Sequence, residues 1–392
     1  MNPTDAVTNV LVYSHYFWPS TGGVETYARL LAEGIAGDQA FPTIVVTQTP
    51  RPGPECDAKF RVFRAPGFLR LWKLIRAADV VVLAGPALAP MIAATLARKP
   101  LVIEHHSYQA ICPNGLLLNK VRGGTCAEAF RNKRYGECCR CVRADRGSVR
   151  ALTQVATTFL RRRLCRNAFA NVAITEHVRL RHDLEKMKVI HYGIPDLPSP
   201  AGTELGKLAG GKTHFGYVGR LVEEKGLSLL LEAARKLKSQ GVPYRLTFVG
   251  DGPLRNSLEA QGASAGLNGN IRFAGFLDGQ ALQQATADMD VVVMPSTWEE
   301  TAGLAAMEQM MRGRTVLAAD IGGLGEVVGD AGLKFRPFDA DDLAEKMVRL
   351  VGSQQLRAEI SARARERALR LFSLPRMIEE YLTVIRAALH NE

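Results

Sequence analysis

The sequence predicts an α/β protein made of two domains, each with a doubly wound parallel sheet. Short apolar runs alternate with amphipathic stretches along most of the chain, which is typical of parallel strands joined by helices. A length of 392 residues with 47% hydrophobic residues is sufficient for two domains with a core each. A Pro- and Gly-rich stretch that ends near Gly211 interrupts the alternation in mid-chain and predicts the domain linker.

The first half begins with a strand, a glycine turn and a helix. Residues 9–14 form a short apolar run, and residues 24–35 have the periodicity of an amphipathic helix. The loop between them ends in Gly22 and Gly23, an arrangement that opens a doubly wound sheet without the G-x-G-x-x-G of dinucleotide-binding proteins. The alternation then continues with predicted strands at 43–48, 61–64, 79–84, 101–104, 169–174 and 188–192, and with predicted helices at 69–76, 86–97 and 148–166.

The second half repeats the alternation. Its central stretch is an apolar run at 290–294 that stops at Pro295-Ser296, followed by a helix predicted for 303–312. This helix carries Leu304, Met307 and Met311 on one face, so one side of it should be buried. Further strands are predicted at 214–218, 245–249, 271–273 and 331–335, and further helices at 340–351, 355–371 and 375–389.

Positive charge is concentrated in the first half. The net charge is +11, and residues 120–166 carry thirteen Lys or Arg against three carboxylates, whereas residues 59–76 carry six cations and no acid. An anionic partner is therefore expected on this half: a lipid surface, a lipid-phosphate acceptor or nucleic acid. Nucleic acid is the weakest of these, because the basic stretch has few aromatic side chains on which bases could stack.

The predicted helix at 69–76 has two possible roles. It suits an interfacial membrane helix, and it equally suits a helix that packs on the sheet and exposes a wet basic face. Its two faces differ in chemistry: one carries Arg70, Lys73 and Arg76, and the other carries Phe68, Leu69, Trp72 and Ile75.

The seven cysteines are expected to be thiols or metal ligands. The N-terminus has no signal-peptide pattern and no apolar run is long enough for a membrane span, so a cytoplasmic location is predicted, where disulfides are rare. Five of the cysteines lie in an insertion at 107–145, whose glycines and proline predict loops: Pro113, Gly115, Gly123, Gly124 and Gly136. Four of them could bind one structural zinc ion: Cys112, Cys126, Cys138 and Cys141. The alternative is that these residues are reduced cysteines in loops.

Two cations follow the first strand of the second half. Gly219-Arg220 comes directly after that strand, and Lys225-Gly226 comes just before the next helix. Cations beside a helix N-terminus can clamp a pyrophosphate, although an ordinary charged loop would have the same composition.

Two carboxylates, Glu300 and Glu308, stand eight residues apart around the start of the helix at 303–312. Thr301, Ala302 and Gly303 between them have little side-chain bulk, so a ligand can approach their backbone N–H groups. Such groups favour phosphate or a sugar oxygen, and a carboxylate two turns further on can hold a ribose diol. The alternative is a solvated helix with two surface glutamates.

Together these motifs resemble the nucleotide-sugar site of the retaining glycosyltransferases of family 4, which have the GT-B fold. The order is Pro295-Ser296, then Glu300 and Glu308, then Gly322-Gly323 followed by Glu326. Only Glu300, and not its neighbour, leaves the seven-residue gap before Glu308. Here Thr-Ala-Gly stands where the family has Gly-Phe-Gly after the first glutamate.

For the fold, the resemblance implies two Rossmann-like domains facing a central cleft. Residues 1–198 would be the acceptor-side domain, 199–374 the nucleotide-sugar domain, and 375–392 a helix that crosses back to the first. Related glycosyltransferases exist with a Cys-rich insertion, and its position beside the cleft would suit acceptor recognition.

For the site, the resemblance implies a role for each matching residue. Arg220 and Lys225 would hold the diphosphate leaving group, Glu308 the ribose, and Glu300 the sugar. His106, after the strand at 101–104, would orient the sugar from the first domain. The remaining donor-binding positions would be Gly22, Gly23, Gly219, Phe276, Thr301, Ala302, Gly303 and Leu304.

For the reaction, the resemblance implies retaining transfer of a sugar from a nucleoside diphosphate to a hydroxyl by front-face displacement, with no metal required. The expected acceptor is lipid-linked, in surface polysaccharide, lipopolysaccharide or glycolipid assembly, with the protein peripheral on the inner face of the cytoplasmic membrane. Two alternatives remain: a nucleotide-sugar isomerase of the same fold, and a non-catalytic anion-binding module.

Overall fold

The computed structural model describes residues 8–20, 22–50, 59–198 and 212–390. Its contacts divide the chain into two compact units. Unit 1 comprises the residues up to Gly193 together with those from Ser373 onward, and unit 2 comprises Ile194–Phe372. The sequence predicts the corresponding boundaries after residues 198 and 374. Most of the predicted linker, residues 199–211, lies outside the described residues.

Unit 1 contains a sheet of seven parallel strands in the order β3-β2-β1-β4-β5-β6-β7. The order runs outward from β1 in both directions, as in a doubly wound sheet. The strands are β1 Val10–Ser14, β2 Thr43–Thr47, β3 Arg61–Arg64, β4 Val80–Ala84, β5 Leu101–His105, β6 Ala170–Ala173 and β7 Met187–Val189. The helices between them are α1 Gly23–Ala36, α2 Phe68–Ala77, α3 Leu88–Leu96, α4 Tyr135–Arg146, α5 Ser148–Arg166 and α6 Glu176–His182.

Unit 2 repeats this plan with six parallel strands in the order β10-β9-β8-β11-β12-β13. The strands are β8 Thr213–Val218, β9 Tyr244–Val249, β10 Ile271–Gly275, β11 Val291–Met294, β12 Thr315–Ala319 and β13 Leu333–Phe335. The helices are α7 Leu227–Ser239, α8 Arg255–Ser264, α9 Gly279–Ala287, α10 Leu304–Met311, α11 Gly322–Val328, α12 Ala340–Gly352 and α13 Gln354–Leu371. The predicted α/β class with two doubly wound sheets is therefore confirmed.

The central strands of both sheets are buried along their whole length. β1, β4 and β11 are rich in Val and are buried at every position. Helices cover a parallel sheet on both faces, so near-continuous apolar runs are what such strands require. This is why the sequence pattern located the strands well.

The last helix, α14 Leu374–His390, belongs to unit 1. It packs against α1, where a Cβ on Gly34 would overlap the side chain of Ile378. Met377 accepts a hydrogen bond from the Gly193 N–H at 3.0 Å, so the helix is tied to the end of the unit 1 chain as well. This is consistent with the predicted return of the chain to the first domain.

Helix α2 packs on its sheet and also leaves apolar side chains in solvent. Leu71 and Ile75 are buried and Trp72 is partly buried against the unit 1 core. Phe68 and Leu69 at its first turn are 54% and 78% exposed. The sheet-packing interpretation therefore holds for the body of the helix, and its start remains available to a partner.

The insertion is more ordered than its glycines predict, and the expectation of a loop at Gly136 is wrong. Gly136, Cys138 and Cys141 lie within α4, which buries Cys138 and Val142 and packs against α5 after a turn at Gly147. The helix forms because its buried side chains recur at one-turn spacing, a tertiary gain that outweighs the cost of about 1 kcal/mol for one helical glycine.

Within the described residues, no helix combines the length and apolar character needed to cross a membrane.

Candidate functional site

The loops after β8 and β11 carry the main polar cluster of unit 2. The two strands are parallel neighbours in the sheet, so their carboxyl ends open at the same edge. Ligands bind at that edge in doubly wound sheets. The loop after β8 supplies Arg220 and Lys225, and the loop after β11 supplies Ser296 and Glu300.

Lys225, Ser296 and Glu300 form one contact group, called here the lysine–carboxylate cluster. The Lys225 Nζ lies 2.8 Å from Glu300 Oε1, and the Ser296 hydroxyl donates to the same oxygen. The side chains of Glu300 and Lys225 are 5% and 16% exposed. Lys225 also lies 5.9 Å from the centroid of the Trp298 ring. A cation and a hydroxyl donor beside a buried carboxylate offset the free-energy cost of burying it.

Glycines bring the two loops of this cluster together. Gly226 has φ 67, and a Cβ there would overlap the carbonyl oxygen of Pro295. A Cβ on Gly322 would lie 2.7 Å from the Glu300 carbonyl oxygen, and the Gly323 N–H donates to that oxygen at 2.7 Å. The downstream Gly-Gly motif therefore holds the backbone of Glu300, a role that its position in the sequence did not reveal.

Helix α10 begins beside Glu300 without a side-chain cap. Its N-cap residue Gly303 has φ 88 and has no side chain with which to cap the first turn. Among the described residues, the N–H groups of Ala302 and Gly303 donate to no acceptor. Free N–H groups at a helix N-terminus attract phosphate or a sugar oxygen.

Glu308 lies about one turn along α10 and is half-buried, as are Thr301 and Leu304. Burial raises the pKa of its carboxyl, and Arg312 nearby opposes that shift. The group retains oxygen acceptors in either protonation state, which is what a ribose hydroxyl needs.

Arg220 differs from Lys225 in being open to solvent. Its side chain is 73% exposed, and its Nη2 lies 3.9 Å from Glu224 Oε1. The Tyr217 hydroxyl donates to the Arg220 carbonyl at 2.8 Å, which holds the backbone of this loop. Gly219, directly before Arg220, approaches Gly250 so closely that a Cβ on Gly250 would overlap the Gly219 carbonyl.

Phe276 follows β10 and its ring is 59% exposed. Gly275 before it has φ 77, a conformation that favours glycine. The ring is accessible to a flat ligand such as a base.

In unit 1, His106 follows β5 and is held by two partners. Its Nδ1 is hydrogen-bonded to the Tyr192 hydroxyl, and its Nε2 lies 3.5 Å from Glu104 Oε2. His105 faces the opposite side of the strand, where its Nε2 is 2.9 Å from Asn171 Oδ1. The alternation of side chains along a strand explains why the two histidines part, as the sequence predicts.

Burial controls the titration of this His106 group. It lowers the pKa of His106 to about 3, with His105 as the second cause. It raises the pKa of Glu104 well above its ordinary value, against the opposing effect of the Tyr27 and Tyr381 hydroxyls. At neutral pH His106 is therefore a neutral imidazole.

Sequence reasoning missed the residues around His106. A glutamate inside the apolar strand LVIEH was a usable signal for Glu104, because a buried strand rarely carries an isolated carboxylate. Tyr381 comes from α14, almost three hundred residues further along the chain. No local pattern could have connected it to Glu104.

Gly22 and Gly23 stand at the start of α1, and the N-cap residue Gly22 has no side chain with which to cap the helix. Gly22 has φ 173, an extended conformation open to any residue, but a Cβ there would overlap the Glu25 carboxylate. Its small size therefore matters more than its backbone freedom.

The four cysteines predicted as zinc ligands line one small cavity of about 20 Å³: Cys112, Cys126, Cys138 and Cys141. The Lys120 N–H and the Asn114 side-chain amide approach Cys141 Sγ at 3.4 and 3.3 Å. Over the described ranges, however, no group of three or more His, Cys, Asp or Glu side chains is placed to hold a metal ion. Zinc therefore stays a prediction.

Comparison with known families matches part of the chain. Residues 206–367 match the family described as "Glycosyl transferases group 1". This segment includes Arg220, Lys225, Glu300 and Glu308.

Two curated relatives match over similar lengths. An "Alpha-D-kanosaminyltransferase" of Streptomyces kanamyceticus is 31% identical over 150 residues, which is 38% of this chain and 39% of the relative. A "Phosphatidyl-myo-inositol mannosyltransferase" of Mycolicibacterium smegmatis is 32% identical over 157 residues, covering 39% of this chain and 40% of the relative. The chain thus spans about two-fifths of the length of these relatives.

Solved structures match nearly the whole chain. The structure of Anabaena Alr3699/HepE in complex with UDP and glucose superposes with a TM-score of 0.72 at 18% identity, covering 97% of this chain and 100% of the other. At that identity the likeness concerns the fold. Residues 206–367 therefore resemble the group 1 glycosyltransferases, and the two units have the Rossmann-like architecture of the GT-B fold.

Proposed function

We propose that this protein is a retaining glycosyltransferase that moves a sugar from a nucleoside diphosphate to a hydroxyl acceptor. The observation that carries the proposal is the lysine–carboxylate cluster beside the uncapped start of α10. It joins a cation, an acidic side chain and free N–H groups at the sheet edge where ligands bind. The HepE structure, of the same fold, contains UDP and glucose.

The cations would stabilise the leaving diphosphate. Negative charge grows on the diphosphate as the glycosidic bond breaks, and preorganised cations lower the free energy of that state. Arg220 is exposed and can meet the phosphates from solvent. Lys225 is paired with Glu300, so an entering diphosphate would compete for its Nζ.

The sugar and ribose would be held by the carboxylates. When Lys225 turns to the diphosphate, the Glu300 carboxylate and the N–H groups of Ala302 and Gly303 become available to sugar hydroxyls. Glu308 would hold the ribose, Phe276 and Leu304 would flank the nucleotide, and neutral His106 would orient the sugar. In front-face displacement the leaving phosphate takes the acceptor proton, and these residues need no metal to assist it.

We further propose a lipid-linked acceptor and peripheral association with an anionic membrane, in surface polysaccharide or glycolipid assembly. The basic stretches in unit 1 and the exposed Phe68 and Leu69 support this. The name of one relative, a phosphatidyl-myo-inositol mannosyltransferase, is in keeping with it.

The experiment combines purified protein, nucleoside diphosphate sugars and membrane lipid extract. Transfer predicts that free nucleoside diphosphate appears only with acceptor, and nuclear magnetic resonance of the product should show an unchanged anomeric configuration. An isomerase would instead convert the sugar without acceptor. Binding of donor without any consumption would favour the non-catalytic anion-binding alternative and overturn the proposal.

A further inference from the structure

A large open cavity in unit 1 lies outside the groups described so far. Its volume is about 630 Å³, and its lining comes from residues 130–133 and 135, from residues 159, 160, 162, 163, 166 and 167, and from Asp183. These segments are the middle of the insertion, the second half of α5 and the residue after α6. Except for Asn167 and Asp183, all the lining residues belong to the basic stretch 120–166.

The lining is strongly cationic. It contains five cations and the single carboxylate Asp183: Arg131, Lys133, Arg162, Arg163 and Arg166. Arg131 is already neutralised, because its guanidinium bonds Asp183 Oδ2 at 2.9 Å and Glu128 Oε1 at 3.2 Å. Asp183 is thereby paired with Arg131, and four cations of the lining are left without an ion pair within the described ranges.

These four cations have no carboxylate partner among the residues described. Arg162 donates only to the carbonyls of His182 at 2.9 Å and Asp183 at 3.3 Å. Lys133, Arg163 and Arg166 are exposed and form no ion pair in the described part of the chain. Burial lowers the pKa of Arg162, and the charges of Arg166 and Arg131 lower it further because the cations repel one another, whereas the charge of Asp183 opposes these shifts.

Folding alone explains only part of this arrangement. Cations near the last turn of α5 are favourable for the helix dipole, which accounts for Arg163 and Arg166. It does not account for Lys133, which comes from the insertion with φ 59, a strained conformation for a non-glycine residue. A cation brought to the same cavity from a different segment increases the repulsion.

One wall of the cavity is apolar and exposed. Phe159 and Leu160 are 46% and 40% exposed. Phe159 contacts Phe130 in a tilted arrangement and Tyr135 edge to face, at centroid distances of 4.8 and 4.9 Å, so the three rings form one aromatic wall. The cavity therefore offers positive charge and an apolar surface side by side.

We propose that this cavity binds a phosphate or diphosphate group carried on an apolar chain. Four cations without a carboxylate partner are sufficient to neutralise a diphosphate, and guanidinium groups bind phosphate oxygens through paired N–H donors. The Phe159 and Leu160 wall takes the first carbons of the chain. This site goes beyond the proposed sugar transfer and stands without it, because it uses neither Arg220 nor Lys225.

The test is isothermal titration with three probes: farnesyl diphosphate below its critical micelle concentration, inorganic pyrophosphate and farnesol. The full chain carrying Lys225→Ala is used, which weakens diphosphate binding at the proposed donor site. Farnesyl diphosphate should bind with one site per chain, pyrophosphate at least tenfold more weakly, and farnesol more weakly still. Equal affinity for pyrophosphate and farnesyl diphosphate would overturn the apolar part of the inference.

Surface variants locate the site. Arg163→Glu and Arg166→Glu should each weaken farnesyl diphosphate at least tenfold, and Phe159→Ala should weaken it while leaving pyrophosphate unchanged. Arg150→Glu, an exposed arginine in the first turn of the same helix, is the matched control and should change affinity less than twofold. Absent binding, or equal losses in all three charge variants, would overturn the site.

Discussion

At the residue scale, Arg220 and Lys225 have the same charge and different surroundings. Arg220 is 73% exposed and 3.9 Å from a carboxylate, whereas Lys225 is 16% exposed and 2.8 Å from Glu300. Screening by water makes the Arg220 contact weak and the Lys225 contact stronger. A ligand that contacts both cations must therefore displace the Glu300 carboxylate from Lys225, whereas it can reach Arg220 without breaking a strong contact.

We predict that Arg220→Ala and Lys225→Ala each lose about 2–4 kcal/mol of transition-state stabilisation, as for other preorganised charge contacts. The measurement is kcat/KM for sugar transfer together with the affinity for free nucleoside diphosphate. The control is Arg235→Ala, an exposed cation on α7. Unchanged turnover in both variants would remove the clamp from the mechanism.

A second residue-scale prediction concerns His105. Burial lowers its pKa from 6.5 to about 4, so the unfolded chain binds its proton below pH 6.5 while the folded chain does not. Its contribution to stability is present above pH 6.5 and is lost as the pH falls toward 4. The difference in free energy of unfolding between wild type and His105→Gln should therefore narrow by up to about 1.4 kcal/mol for each pH unit by which the pH falls below 6.5.

Urea unfolding at pH 7, 6 and 5, followed by fluorescence and circular dichroism, measures this difference. The pKa of the Glu104 carboxyl is raised in the folded protein, so this group stabilises the fold as the pH falls, opposite to His105. Both proteins contain Glu104, so its effect is the same in each. A difference that stays constant from pH 7 to pH 5 would contradict the buried neutral state of His105.

At the element scale, the turn into α7 depends on backbone conformation and on space. Gly226 and Gly241 share φ 67, but a Cβ on Gly226 would overlap the Pro295 carbonyl, whereas the space around Gly241 is open. The pair separates the two effects. Left-handed backbone costs a non-glycine residue about 1–2 kcal/mol, and a steric clash adds to it.

We predict that Gly241→Ala lowers the free energy of unfolding by about 1 kcal/mol and that Gly226→Ala lowers it by at least twice as much. Gly226→Ala should also lower transferase activity, because it displaces the neighbouring Lys225. Thermal unfolding and kcat/KM are the measurements. Equal losses in the two variants would mean that the contact with Pro295 has no structural importance.

The α4 helix and the loop around Cys112 and Cys126 bring four thiols to one cavity. If they bind zinc, protein purified without added metal should contain about one Zn²⁺ per chain by elemental analysis. Cys138→Ser should remove the metal, and Cys139→Ser, outside the cavity lining, should retain it. Less than a tenth of an equivalent, with freely titrating thiols, would make them reduced structural cysteines.

At the scale of the whole molecule, the excess charge of the chain lies in unit 1. Residues 59–76 and 120–166 both belong to it, and exposed Phe68 and Leu69 adjoin the basic face of α2. Each Lys or Arg near an anionic bilayer contributes about 1 kcal/mol, screened within a Debye length.

We predict binding to vesicles that contain anionic lipid, weakening as salt rises, in a co-sedimentation assay. Lys73→Glu with Arg76→Glu should reduce it, and Phe68→Ser with Leu69→Ser should reduce the part that salt does not remove. Equal partitioning to neutral and anionic vesicles without salt dependence would favour a soluble acceptor.

The sequence by itself determined the α/β class, most strands of the two sheets and the motifs of unit 2. Apolar runs and helical periodicity are local signals, and the predicted helix at 148–166 matches α5 residue for residue. The alternation of side chains along a strand also predicted that His105 and His106 point to opposite faces. Ends were less well determined, as at β7, where the strand stops at Val189 instead of 192, because hydrogen bonding to a neighbouring strand decides them.

Only the tertiary structure decided what the motifs touch. The pairing of Lys225 with Glu300, the hold of Gly322-Gly323 on the Glu300 backbone and the approach of Tyr381 to Glu104 join residues far apart in the chain. The helix through the cysteine insertion and the cavity of four uncompensated cations likewise depend on packing between segments. Such contacts follow from the spatial arrangement of strands and helices, which no local run of residues encodes.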